Sequence, residues 1–343
     1  MINLIADIHY NRKKAPVLLN IGLCTAEFFY KTIIKCKNFL YEKNILKEKK
    51  VNAYVICVGN LTTGGVGKTP FVEEIAKSLQ GKKPAIISRG YKARIDTKNP
   101  VVVRDWDKIY FKDGTLCADE PYQLAKKVSC PVIICKDRVK GANFAIEKFN
   151  VDTIILDDGF SNRTIKKDKT YVLVDSLMRF GNNHLLPKGP LREPVCELKR
   201  ADELVLINKN DANFPCAIDW LKQFNKTADK VLLVEPKRIY NLKTKAEIVN
   251  PKKAIAFCAI GQPQQFFSFA KKFYNLIETV SYKDHYSYTK KDIKNLITLA
   301  KAHKVNSFVT TQKDEGKLYQ LVDSYPDYSF NVLELKTTIK RMN

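Results

Sequence analysis

Residues 54–69 constrain this chain more than any other stretch. Tyr54-Val-Ile-Cys-Val58 is an apolar, β-branched run closed by Gly59-Asn60, which predicts a buried strand. Thr62-Thr-Gly-Gly-Val-Gly-Lys-Thr69 and Pro70 come next, and then a helical pattern in which Phe71, Ile75 and Leu79 recur every four residues. Strand, glycine-rich loop and helix in that order are what a phosphate-binding loop needs. Glycines let backbone N–H groups turn toward phosphate oxygens, and the helix N-terminus adds positive potential. Thr62, Thr63, Gly64, Gly65, Val66, Gly67, Lys68 and Thr69 are thus the candidate ATP-binding residues. In that reading Lys68 reaches the β- and γ-phosphates and Thr69 holds Mg²⁺.

The loop departs from the common GxxxxGK[ST] pattern, whose first glycine falls on Thr62. Its double glycine follows the GGxGKT form of some ATPases, but those carry a signature lysine where this chain has Thr63.

Further short apolar runs predict an α/β fold, P-loop NTPase-like, with a doubly wound, mostly parallel sheet. The predicted strands are Ala85–Ser88, Val132–Cys135, Thr153–Leu156, Tyr171–Val174 and Glu203–Ile207, with helices between them. From about Val231 a second, smaller α/β piece begins, with strands Ala254–Cys258 and Ser307–Thr311. The expected division is an N-terminal amphipathic helix in residues 1–50, a nucleotide-binding core in 51–230 and a smaller domain in 231–343.

The N-terminal segment allows two readings. No apolar run followed by a small-residue cleavage site marks a secretory signal. The uncharged stretch Ala15–Ala26 is shorter than the roughly 20 residues of a spanning helix. Phe29, Ile33, Cys36 and Leu40 nevertheless share one helical face, with Leu18 on the same stripe and Lys31 and Lys35 turned away. Such a helix lies in a membrane interface or packs on the protein's own core. The formal charge is +23, which favours an anionic partner without naming one. The lysines are spread along the chain with no nucleic-acid-binding motif, so nucleic acid is not expected. None of the nine cysteines forms a CxxC pair, which argues for reduced thiols and against a zinc site.

Phosphoryl transfer also needs acids for the metal and a group to take the hydroxyl proton. The run Thr153–Leu156 ends in Asp157-Asp158-Gly159, which puts two carboxylates at the ligand end of a parallel strand. Asp119-Glu120-Pro121 precedes a helical pattern, so Asp119 read alone is better taken as a helix cap than as a catalytic acid. His285, in Asp284-His-Tyr286, reads as a general base or as an ordinary solvated loop histidine.

Taken together, GNLTTGGVGKTP (59–70), SRGY (88–91), ADEP (118–121), LDDGF (156–160), LLPKGPLREP (185–194), AIGQPQQFF (259–267), DHYSY (284–288) and TQKD (311–314) resemble the tetraacyldisaccharide 4′-kinase family of lipid A biosynthesis. The resemblance implies transfer of phosphate from ATP, with Mg²⁺, to the 4′-hydroxyl of a tetraacyldisaccharide 1-phosphate. It implies a peripheral enzyme at the cytoplasmic face of the bacterial inner membrane, meeting a lipid-linked disaccharide and an anionic lipid surface, with no obligate protein partner. Asp119 and His285 match the family's catalytic acid–histidine dyad, acting beside Lys68. Glu120, Asp157 and Asp158 match its acidic positions and join Thr69 as candidate Mg²⁺ ligands. Arg89 and Arg192 are candidates to grip the acceptor's 1-phosphate or the transferring phosphate, since Arg meets phosphate through a planar fork; otherwise they are surface ion pairs. Departures from the family pattern are Ala118 where glycine is frequent, Ser161-Asn162 for Gln-His, and Gln312 for glutamate. The alternative is a partner-regulated P-loop ATPase of the GGxGKT type, against which Thr63 argues. A GTPase would need an NKxD tetrad, and here Lys313 and Asp314 are adjacent.

Overall fold

A computed structural model describes residues 2–64, 66–209, 214–249, 253–284 and 286–342. The chain divides into two compact units, residues 1–233 with 338–343, and residues 234–337.

The first unit opens with helices α1 (Ile2–His9) and α2 (Val17–Glu42). Strand β1 (Tyr54–Gly59) leads through the glycine-rich loop into α3 (Lys68–Ser78). There follow β2 (Pro84–Ser88), β3 (Val101–Arg104), α4 (Gly114–Cys117), α5 (Asp119–Lys127), β4 (Val132–Ile134), α6 (Arg138–Phe149) and β5 (Thr153–Asp157). Then come β6 (Lys169–Asp175), a 3₁₀ turn (Val195–Arg200), β7 (Glu203–Asn208), α7 (Phe214–Lys222) and β8 (Lys230–Asn241), which runs on into the second unit. The hydrogen-bonded order is β8-β7-β6-β1-β5-β2-β4-β3. All pairs are parallel except β3 with β4. This is the doubly wound, mostly parallel sheet that the apolar runs predict. Strands buried on both faces read as unbroken apolar runs, which is why β1, β2, β5 and β7 are legible.

The second unit holds β9 (Lys253–Cys258), α8 (Pro263–Ala270), β10 (Asn275–Ser281), α9 (Lys290–Ala302), β11 (Ser307–Thr311), α10 (Gln312–Leu318) and β12 (Ser329–Arg341), whose end returns to the first unit. Its strands run β10-β9-β11-β12, with the pairs parallel. Phe257, Phe308, Phe330 and Ile293 anchor its core. Thr289 and Asp292 form a reciprocal capping box at the start of α9.

Helix α2 is 26 residues long, so the uncharged stretch underestimates it. Its apolar stripe does not pack on the core. Leu18 is 86%, Phe29 61% and Ile33 66% exposed, and Cys36 is exposed too; Leu40 alone of the stripe is half-buried. The side that meets the protein is largely polar, with Leu23 buried among its bonded residues. Glu27 accepts from the Leu185 amide (2.8 Å) and meets His184 Nδ1 (3.0 Å). The Tyr30 hydroxyl donates to the Arg192 carbonyl (3.0 Å). Lys37 (3.2 Å) and Asn38 (3.0 Å) both donate to Glu193, a fully buried carboxylate. A helix that packs by its polar side and leaves its apolar side open excludes the core-packing reading of the stripe.

Candidate active site

Two loops meet at the ligand end of the first unit's sheet. Because β1 and β5 are parallel neighbours with Val58 opposite Asp157, the phosphate loop and the Asp157-Asp158 pair leave the sheet side by side. Two glycines make this approach possible. A Cβ on Gly59 would lie 2.5 Å from the Phe160 Cβ and 2.8 Å from its backbone nitrogen. Gly67 starts α3 at φ +98°, in the left-handed region that glycine occupies without strain. Gly65 lies outside the described residues.

Lys68 donates to Asn60 Oδ1 (3.0 Å) and stands 3.6 Å from Asp158 Oδ1. The Arg192 guanidinium grips Asp158 with two nitrogens (2.9 and 2.8 Å) and also donates to the Asn60 carbonyl (3.1 Å). Asn60 is fully buried and its amide nitrogen donates to Thr62 Oγ1 (3.1 Å) and to the Thr62 carbonyl (2.8 Å). Residues 184–193 lie against the loop from outside. The Thr63 amide donates to the Pro190 carbonyl (2.7 Å) and the Arg192 amide to the Leu61 carbonyl (2.7 Å). Of the sequence candidates, Lys68, Asp158 and Arg192 are therefore one contact group. Asn60, which is not among the candidate site residues, is its hub; its signal in the sequence is its place in the GNLTTGGVGKTP block just after a buried strand.

The adjacent carboxyls are driven apart in acidity. Asp157 is buried, held by the Ser88 hydroxyl (3.2 Å), and its pKa is pushed up to about 6 by burial, then by the charges of Glu120 and Asp158. Asp158 is itself partly desolvated, yet Lys68 and Arg192 hold it well below the ordinary carboxylate range. Arg138, buried beneath them, donates to the carbonyls of Cys135 (2.7 Å) and Asp157 (3.3 Å).

Asp119 and Glu120 open α5, and both are half-buried. The cap at this helix is Ala118, with no side-chain capping bond, so Asp119 is not the helix cap that its position suggests. Ala118 sits at φ +71°, where an L side chain is strained and glycine is not. Arg89 is exposed just beyond β2, and its charge reaches Arg138. Thr69 lies in the first turn of α3. His285 lies outside the described residues.

The acids and Thr69 offer hard oxygen donors, the chemistry of Mg²⁺. Burial raises Asp157 most, and the added repulsion from Glu120 and Asp158 is what a cation in that place would relieve. Among the described residues no three acidic, histidine or cysteine side chains already form a closed metal cluster.

Comparison with known proteins bears on what the site does. The family model described as tetraacyldisaccharide-1-P 4′-kinase matches residues 19–342. The tetraacyldisaccharide 4′-kinase of Halothermothrix orenii is 33% identical over 341 residues, covering 93% of this chain and 88% of that protein. The protein of the same name from Francisella tularensis subsp. novicida is 37% identical over 266 residues, covering 74% and 79%. Among solved structures, an "apo" form of LpxK from Aquifex aeolicus in complex with ATP superposes with TM-score 0.74 at 31% identity, covering 94% of this chain and 96% of that one.

Proposed function

The chain belongs to the tetraacyldisaccharide-1-P 4′-kinase family, and from that premise we propose how its residues carry the reaction. It is an ATP-binding phosphotransferase of lipid A biosynthesis, and it phosphorylates the 4′-hydroxyl of a tetraacyldisaccharide 1-phosphate. The observation that supports our site reading most is the Lys68–Asn60–Asp158–Arg192 group at the adjoining ends of β1 and β5.

Lys68 and the loop amides bind the triphosphate. Thr69 with Asp157, Asp158 or Glu120 would hold Mg²⁺, which when bound neutralises charge on the phosphate oxygens. Arg192 is placed to turn from Asp158 to the transferring phosphate. Arg89 is the candidate for the acceptor's 1-phosphate. By the family's motifs Asp119 and His285 are the candidate acid–histidine dyad, with His285 the group that would take the hydroxyl proton. The test is transfer of labelled γ-phosphate from ATP to tetraacyldisaccharide 1-phosphate in detergent micelles. Acceptor-dependent label is expected, falling by about 10²–10⁴-fold in His285→Ala and Asp119→Ala, the usual worth of general-base catalysis. ATP hydrolysis without lipid label would instead favour a partner-regulated ATPase.

We further place the protein at the cytoplasmic face of the inner membrane, peripheral, with no obligate protein partner. Helix α2 is long and apolar enough to cross a bilayer by length and composition. Its bonded polar side argues that it lies along the interface, apolar face down. Each buried apolar side chain is worth about 1.5–3 kcal/mol, so Phe29→Ser with Ile33→Ser is expected to weaken partition onto anionic vesicles by about 10²-fold or more. Flotation that is the same for variant and wild type would remove α2 as the anchor.

A further inference from the structure

Residues 184–193, His184-Leu-Leu-Pro-Lys-Gly-Pro-Leu-Arg-Glu193, touch two things at once. One side carries α2: His184 and Leu185 on Glu27, the Arg192 carbonyl on Tyr30, and Glu193 on Lys37 and Asn38. The other side carries the phosphate loop. Pro190 accepts from Thr63, Leu191 bridges Thr62, and Arg192 reaches Asn60 and Asp158. Arg192 thus has its carbonyl held by α2 and its guanidinium committed to the phosphate site.

We propose that Glu27, Tyr30 and Asn38 of α2 are positioning residues for phosphoryl transfer, acting through this strap on Arg192 and the phosphate loop. The proposal rests on the reading of Lys68, Asp158 and Arg192 as the phosphate site, and it does not need α2 to touch lipid. The physical case is the economy of the strap. Thirty-four residues separate Arg192 from Asp158 and over a hundred separate it from Asn60. The Arg192 backbone is fixed where its side chain must reach by bonds to Leu61 on one side and to Tyr30 on the other. Its neighbour Glu193 is fully buried, with Lys37, Asn38 and Arg200 around the carboxylate. A buried carboxylate stripped of donors is costly, so the strap has one low-energy seat on α2. Loosening that seat lets Arg192 and the Pro190–Thr63 bond drift, and small displacements at a phosphate site are expensive in rate.

The experiment uses the full chain in detergent. Tyr30→Phe, Asn38→Ala and Glu27→Ala are compared with Thr32→Ala, an exposed α2 position that bonds only its own helix. Steady-state kinetics are expected to show kcat down about 10-fold or more for Asn38→Ala and Glu27→Ala, with KM for the lipid acceptor unchanged. Glu27→Gln, which keeps an acceptor for the Leu185 amide, is expected to recover most of the loss. Hydrogen–deuterium exchange of nucleotide-free protein is expected to speed up in peptides covering residues 60–68 and 190–193, and to stay at wild-type rates in β5. Unchanged kcat and unchanged exchange in folded variants would overturn the coupling. So would a loss of rate accompanied by uniform loss of protection across the unit, which marks a merely destabilised fold. Lys68→Ala run in parallel separates the two readings. If it retains full activity, the phosphate-site assignment fails; if it collapses while the α2 variants behave as wild type, only the coupling fails.

Discussion

Replacing Lys68 with alanine is expected to lower kcat/KM for phosphoryl transfer by about 10³-fold, the scale seen when a preorganised charge facing the reacting phosphate is removed. The fold should hardly notice. Lys68 is anchored by Asn60, and Asp158 keeps its two-nitrogen grip from Arg192 when the lysine is gone. The thermal midpoint of nucleotide-free Lys68→Ala should therefore stay within a few degrees of wild type. Lys68→Arg should rescue poorly, because the seat at Asn60 fits a compact ammonium and a planar guanidinium spreads its donors differently. Single-turnover transfer at saturating acceptor measures this. A loss under 10-fold would remove Lys68 from the reaction.

Asp157→Asn should show the opposite balance, a more stable and much less active protein. Burial and two acidic neighbours raise the folded-state pKa from 3.8 to about 6. A raised pKa means the neutral carboxyl is the form the fold prefers. Its favourable contribution is complete below about pH 4 and is lost as pH rises through about 6. At pH 7.5 the ionised group then costs up to about 3 kcal/mol, because each tenfold change in proton affinity between the unfolded and folded chain is worth roughly 1.4 kcal/mol. Asparagine keeps the shape and can still accept from the Ser88 hydroxyl. Denaturant unfolding of the nucleotide-free protein should show the variant ahead of wild type at pH 7.5, with the gap narrowing toward pH 5. Transfer by the variant should fall about 10²-fold, and ATP with Mg²⁺ should stabilise it less than wild type. For wild type, activity should decline as pH drops below about 6, where Asp157 takes up its proton. A gap in stability that does not change with pH would show that Asp157 is not the titrating group.

The phosphate loop and the acid pair are legible in the sequence because both lie at the ends of strands buried on two faces, where composition and order carry the signal. The edge strand β3 is not legible: four residues, half-exposed and antiparallel, leave little pattern. Strands β8 and β12 escape for a different reason. Both are long and interrupted by charge, with Pro236 inside β8, and such runs read as linkers until a partner is known. Asn60 is invisible as a hub because its role depends on Arg192, more than a hundred residues away. The stripe on α2 can be seen in the order of residues, but periodicity alone does not tell that Glu27, Lys37 and Asn38 face the protein while Phe29 and Ile33 do not.

The return of residues 338–343 to the first unit has a consequence for synthesis. The Met342 amide donates to the Asp229 carbonyl (3.0 Å), and the Met342 side chain packs on the cluster around Leu206 and Leu221. As the chain leaves the ribosome, the whole of the second unit emerges between Leu233 and those last residues. At roughly 5–20 residues per second, that leaves the first unit unfinished for several seconds or more. The second unit has all its own residues in hand before the first has received its final ones. The contacts that residues 338–343 give the first unit can thus form only after the whole of residues 234–337 has been made.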